Sequence, residues 1–168
     1  MKIQIKYHNK NIPKIKKIEQ GDEECLALFH WFKDLTLKDV QRIYDMLDIH
    51  FDSYAGESFY NDKMDRVIDE LKEKNLLKED QGAQIVDLEE YNMPPALVLR
   101  SDGATLYITR DLAAAFYRAN EYKFDKCLYV VAYQQNLHFK QLFKIIDLMG
   151  HEWYKGMEHV SFGMVSYE

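Results

Sequence analysis

The chain has 168 residues, 47% hydrophobic and 14% aromatic, which is enough for a folded domain with a real core and argues against bulk disorder. A net charge of −6 and a pI near 5.5 argue against a dedicated nucleic-acid clamp, which is usually basic. No apolar run approaches the roughly 18 residues that span a bilayer, and the alternation of Lys with Ile over residues 1–7 is no signal peptide.

Residues 1–20 carry six Lys (Lys2, Lys6, Lys10, Lys14, Lys16, Lys17) against Glu19, so this stretch holds +5 and the remainder −11. Ile3, Ile5 and Tyr7 alternate as in a short strand, and Pro13 breaks the segment. It reads as a basic arm or linker, either a solvated edge or a contact to RNA phosphate.

Next, Cys25, Leu28, Phe29 and Phe32 share one helix face. Thr36, with Asp39 three residues on, has the form of a capping box. Leu37, Val40, Tyr44 and Leu47 continue the stripe, so the pattern predicts a helical hairpin. Residues 50–54 predict a short strand and residues 55–58 a loop. Asn61 is placed to cap a helix with Met64, Val67, Ile68 and Leu71 as its apolar face, and Glu70 and Lys74 pair at i, i+4. Residues 76–88 predict a hairpin turning at Gln81-Gly82, with Ile85 and Leu88 inward.

Pro94 and Pro95 precede an apolar strand, 96–99, and Asp102-Gly103 makes a turn. Residues 105–108 predict a short strand that runs into a helix capped by Thr109, with Leu112, Ala115, Phe116 and Ala119 as its core face. The last third is α/β. Residues 127–132 read as a buried parallel strand. Asn136 opens a helix with Leu142, Ile145, Ile146 and Met149 on its face, ended by Gly150. Residues 159–165 read as a second buried strand, completing a crossover unit. The chain thus divides into an arm (1–20), a helical and hairpin region (21–95) and an α/β half (96–168). Cys25 and Cys127 sit in no CxxC or zinc spacing and read as buried thiols of a reducing cytosol. The six His form no metal motif.

Motif scanning finds no GxGxxG, P-loop, GxSxG or HExxH. Three places stand out physically. Residues 107–111 (Tyr-Ile-Thr-Arg-Asp) lie where a strand is expected to meet a helix, and open α/β sheets bind ligands at such ends. Asp111 there also simply complements a helix dipole. Residues 133–138 (Tyr-Gln-Gln-Asn-Leu-His) put amides, poor strand formers, at a strand's carboxyl end. Capping explains Asn136, but Gln134 and Gln135 less well. Residues 56–58 (Gly-Glu-Ser) read as a turn with a solvated acid.

Together, FDSYAGES (51–58), LVLRSDGATLYITRDLAAAFYR (97–118), YVVAYQQNLHFKQLFKIIDLMG (129–150) and HVSFGMV (159–165) resemble the arginyl-tRNA synthetases, in the family's order and at family-like spacing. The resemblance covers about residues 21–168. It implies an α/β fold: the second half of a Rossmann-type class I synthetase catalytic domain with an inserted helical and β-hairpin region. It also implies a cytoplasmic ligase that joins arginine to tRNA through arginyl-adenylate, using ATP and Mg²⁺ and generally needing bound tRNA for activation.

By position, Tyr107, Asp111 and Gln135 match the family's arginine-binding residues, and Glu57 is a further partner for a substrate cation. A guanidinium is a planar fork of donors, and a carboxylate accepts two of them in parallel. His138 and the main chain at Met164 and Val165 lie where the family binds the adenosine of ATP. The chain departs from the family in two signatures. It contains no His-x-Gly-His, the element that stabilises charge on the transferring phosphates. The Lys-Met-Ser-Lys-Ser-like loop would follow Val165, and the chain ends at Glu168. The expectation is a fragment inactive by itself that works with the remaining part of the synthetase. The alternatives are a non-catalytic arginine- or adenosine-binding module and one half of a split enzyme.

Overall fold

The computed structural model describes residues 17–18 and 21–164. The strand expected at Ile3, Ile5 and Tyr7 lies outside them, as does Val165. The chain divides into two compact units, one ending at Tyr54 and one beginning at Ala55.

The first unit is built on one helix, α1 (Glu23–Met46). Asp22 caps it by accepting a hydrogen bond from the Cys25 N–H at 2.9 Å, and Glu23 and Glu24 add negative charge to the first turn. The helix is continuous where the sequence predicts a hairpin. Thr36 is not an N-cap: its Oγ1 donates to the Phe32 carbonyl one turn back, at 2.9 Å. No Gly or Pro interrupts residues 23–46, so the backbone has no cause to break. Residues 50–54 form no strand. The Phe51 ring instead packs edge-on between Tyr44 and Tyr54, with centroids 4.8 and 5.7 Å away. The Tyr54 hydroxyl donates to Gln41 Oε1 at 2.8 Å. Aromatic clustering, rather than strand pairing, ties this segment to α1.

In the second unit a 3-10 turn (Glu57–Lys63) leads straight into α2 (Met64–Glu73). The expected apolar face is the buried one: Met64, Val67, Ile68 and Leu71. Asn61 does not cap α2. It lies inside the 3-10 turn, and Lys63 takes the cap position without a side-chain bond. Glu70 and Lys74 pair as expected, at 3.8 Å.

Strands β1 (Leu77–Asp80) and β2 (Ala83–Val86) form the expected hairpin. Gln81 and Gly82 both have positive φ, 48° and 81°, as two-residue turns matching the strand twist require. β3 (Ala96–Leu99) completes an antiparallel sheet in the order β1-β2-β3. Val86 and Leu88 are buried, whereas Ile85, expected inward, is half-buried. Ile85 and Leu88 are three residues apart and cannot share a face at period two; Val86 and Leu88 take the inner side and Ile85 the other.

The strand predicted at 105–108 reduces to a single bridge between Thr105 and Leu99. α3 (Tyr107–Tyr122) begins there, with no side-chain cap. Thr109 is therefore not an N-cap. It is a fully buried interior residue whose Oγ1 donates to the Val98 carbonyl at 2.6 Å. Burying Ile108, Leu112, Ala115 and Phe116 on one helix outweighs the strand preference of Thr-Leu-Tyr-Ile.

β4 (Cys127–Ala132), α4 (Asn136–Leu148) and β5 (Met157–Phe162) form the expected crossover. The strands are parallel, in register from Cys127 with Met157 to Ala132 with Phe162. α4 buries Phe139, Leu142, Ile145 and Ile146. Gly150, at φ 83°, ends the helical segment: its N–H reaches Asp147 O at 2.8 Å and the His151 N–H reaches Ile146 O at 3.2 Å.

The two strands are not buried on both faces, contrary to expectation. Tyr129 and His159 face α4, whose Phe139 ring lies 4.9 and 4.3 Å from theirs. On the other face Leu128 and Val130 are 55% and 64% exposed. A continuous apolar run records what a strand can bury, and one covered face already accounts for half of it. Burial pushes the Tyr129 phenol well above its ordinary range, with the neighbouring Cys127 adding to the effect, and the Arg118 guanidinium lies 5.3 Å from its ring centre. Cys25 and Cys127 are free and only half-buried, not fully buried as expected.

Candidate functional site

Parallel pairing sends the carboxyl ends of β4 and β5 to the same edge, because Ala132 stands opposite Phe162. Open α/β sheets bind ligands at that edge. After β4 a 3-10 turn (Tyr133–Gln135) carries the exposed Gln135 into the cap position of α4. After β5 comes Met164, 70% exposed.

Asp111 stands in the second turn of α3, since the helix begins at Tyr107 and has no acid in its first turn. Complementing the helix dipole, an effect confined to the first turn, therefore does not account for Asp111. Its Oδ2 lies 2.6 Å from His138 Nε2 on α4, with side-chain exposures of 39% and 21%. Asp111 Oδ1 makes no hydrogen bond among the described residues. Tyr107 lies one turn before Asp111 on the same helix face and is 69% exposed. Gln135 lies one turn before His138. The bond joins a carboxylate and an imidazole near the amino-terminal ends of two adjacent helices, each about one turn from an exposed side chain, Tyr107 on α3 and Gln135 before α4.

Glu57 is held elsewhere. Its Oε2 lies 3.4 Å from Nη1 of Arg110, a residue on a different side of α3 from Asp111. Among the described residues no cluster of three or more His, Cys, Asp or Glu is placed to hold a metal ion, and no helix is long and apolar enough to cross a membrane. Sequence reasoning singled out Tyr107, Asp111, Gln135 and His138 but not the Asp111–His138 bond. The partners are 27 residues apart, and no periodicity links a residue of one helix to a residue of another. It also missed Gly156, where an added Cβ would stand 2.5 Å from the Asp125 carbonyl oxygen.

A family model described as tRNA synthetases class I (R), catalytic domain, matches residues 4–168. The chain belongs to the class I arginyl-tRNA synthetase family. Within it, the chain is 64% identical over 152 residues to the arginine–tRNA ligase of Alkaliphilus metalliredigens, covering 90% of this chain and 27% of that protein. The arginine–tRNA ligase of Clostridium perfringens is 52% identical over 177 residues, covering 99% of this chain and 31% of the relative. The crystal structure of Plasmodium falciparum arginyl-tRNA synthetase superimposes with a TM-score of 0.81 at 30% identity, over 90% of this chain and 27% of that one. A Campylobacter jejuni structure described as a putative arginyl-tRNA synthetase shares the fold, with a TM-score of 0.76 at 18% identity, over 99% of this chain and 39% of that one. The chain spans about a quarter to a third of the length of the curated relatives it matches.

Proposed function

We propose that this chain forms one wall of the substrate site of an arginine–tRNA ligase, and that the wall takes the guanidinium of arginine. The observation that carries the reading is the cluster at the starts of α3 and α4. Asp111 keeps one carboxylate oxygen open beside an exposed phenol, Tyr107, and an exposed amide, Gln135. A carboxylate offers about four acceptor sites, enough for a planar fork of donors. Tyr107 stacks or hydrogen-bonds, and the Gln135 oxygen accepts a further donor. Glu57, paired with Arg110, acts on substrate only after leaving that partner.

The adenosine of ATP sits against His138 and the main chain at Met164 and Val165. Mg²⁺ arrives as the complex with ATP. Together with the rest of the synthetase, in the cytoplasm, this wall serves adenylation of arginine and its transfer to tRNA. The 168 residues contain no His-x-Gly-His, so a polypeptide of these residues alone binds arginine without activating it.

Calorimetric titration of L-arginine against the chain and against Asp111→Ala tests the reading. Binding at millimolar concentration is expected for the first, and affinity at least about tenfold lower for the second, the usual scale for a lost charge-assisted bond. Failure of both proteins to bind would sink it. Arginine-dependent pyrophosphate exchange above a heat-treated control would overturn the inactivity of the chain alone.

A further inference from the structure

An aspartate on a helix turns freely about its last torsion, which has broad, roughly two-fold preferences. Asp111 is not free in this way, because His138 Nε2 lies 2.6 Å from its Oδ2. The imidazole is itself restrained. It is 21% exposed, and its ring meets the buried Phe139 ring edge-on at 5.4 Å. We propose that His138 is a positioning residue: it orients the Asp111 carboxylate for a guanidinium ligand, in addition to any contact with nucleotide. The proposal rests on the arginine reading above and assigns the holding of that site.

With Asp111 ionised, the His138 Nε2–H donates to Oδ2 and uses one of about four acceptor sites on the carboxylate. Oδ1 and the second lone pair of Oδ2 remain for the fork of the ligand, so the imidazole and the guanidinium do not compete. The bond spans α3 and α4, which the buried core packs together, one turn from Tyr107 and Gln135. Preorganisation of this kind raises affinity by removing an ordering cost from the binding step.

The test compares L-arginine with its neutral isostere L-citrulline on the wild-type chain, His138→Ala, His138→Gln and Asp111→Ala. Unfolding midpoints are measured alongside. His138→Ala is expected to bind arginine about tenfold more weakly and to lose part of the preference over citrulline. His138→Gln, whose amide nitrogen occupies the position of Nε2, is expected to return to within about threefold of wild type. If His138→Ala does not fold, His138→Gln against His138→Asn decides, since the shorter amide does not reach Oδ2.

Wild-type affinity in His138→Ala, with Asp111→Ala still impaired, overturns the positioning role and leaves the arginine reading standing. Equal losses in the Ala and Gln variants with an unchanged arginine-to-citrulline ratio also overturn it, because the ring then serves packing alone. A wild-type chain that binds no arginine overturns both.

Discussion

The His151 imidazole lies 2.5 Å from Glu70, Nε2 to Oε1, and ties the turn behind α4 to α2 across 81 residues of chain. The Phe116 and Trp153 rings flank the same imidazole at 4.7 and 5.5 Å. Both polar side chains are largely shielded, with exposures of 28% and 20%, so removing either leaves the other short of a partner. His151→Ala should lower the unfolding free energy by about 1–3 kcal/mol in urea denaturation. His151→Phe keeps the ring packing and should recover only part of that loss. A midpoint for His151→Ala equal to wild type would remove the pair from the account of stability.

The fully buried Thr109 hydroxyl donates to the Val98 carbonyl at 2.6 Å and joins α3 to β3. Thr109→Val preserves shape and deletes the donor. A cost of about 1–3 kcal/mol is expected, because the carbonyl loses a buried partner. Thr109→Ser should retain most of the stability. Equal stability of the Val and Ser variants would show that the hydroxyl contributes nothing.

Gly156 leaves no room for a side chain, with the Asp125 carbonyl oxygen 2.5 Å from where a Cβ would stand. Since backbone opposes the new methyl, Gly156→Ala must shift the segment leading into β5. A destabilisation of about 1–3 kcal/mol is expected, the usual scale for overpacking. Thermal unfolding checks it, and an unshifted midpoint would show that the segment yields freely.

The Asp22 carboxylate is held below its ordinary value of 3.8, chiefly by the hydrogen bond from the Cys25 N–H. A carboxyl group depressed in the folded state contributes stability that is complete above the unfolded pKa and is lost as pH falls through the folded one. Helicity of α1 should therefore be level from neutral pH down to about the unfolded value of 3.8 and then decline on further acidification. In Asp22→Ala the acid-dependent step assigned to this group should disappear, and α1 should be frayed at neutral pH. Circular dichroism against pH on both proteins checks the pair of outcomes.

Spacing made the helix faces legible, because Met64, Val67, Ile68 and Leu71 can share a buried side only at helical period. The hairpin was legible through Gln81-Gly82, where the chain needs two residues of positive φ. The errors arose where one local pattern serves two structures. Thr36 followed by Asp39 looks like a helix start, yet a threonine inside a helix bonds the carbonyl one turn back equally well. Thr-Leu-Tyr-Ile before Thr109 favours a strand until Val98 supplies an acceptor from another element. The run at 127–132 has the same composition whether one face is covered or two. In the site, Tyr107 and Asp111 belonged together only through the family resemblance, because residues 105–108 read as a strand; helical spacing joins them once α3 begins at Tyr107. Their link to His138 depends on how α3 meets α4, which only the packed core decides.

The phenol of Tyr129, sealed between Phe139 and the guanidinium of Arg118, doubles as an optical gauge of the core. Burial, reinforced by Cys127, keeps it protonated far into alkali, so titrating the native chain should not elicit its phenolate absorbance. The same raised pKa makes the native state lose ground once the pH climbs above the phenol's unfolded value of about 10. The Tyr129 phenolate signal should then rise together with the loss of tertiary structure, reporting the opening of this core without any label.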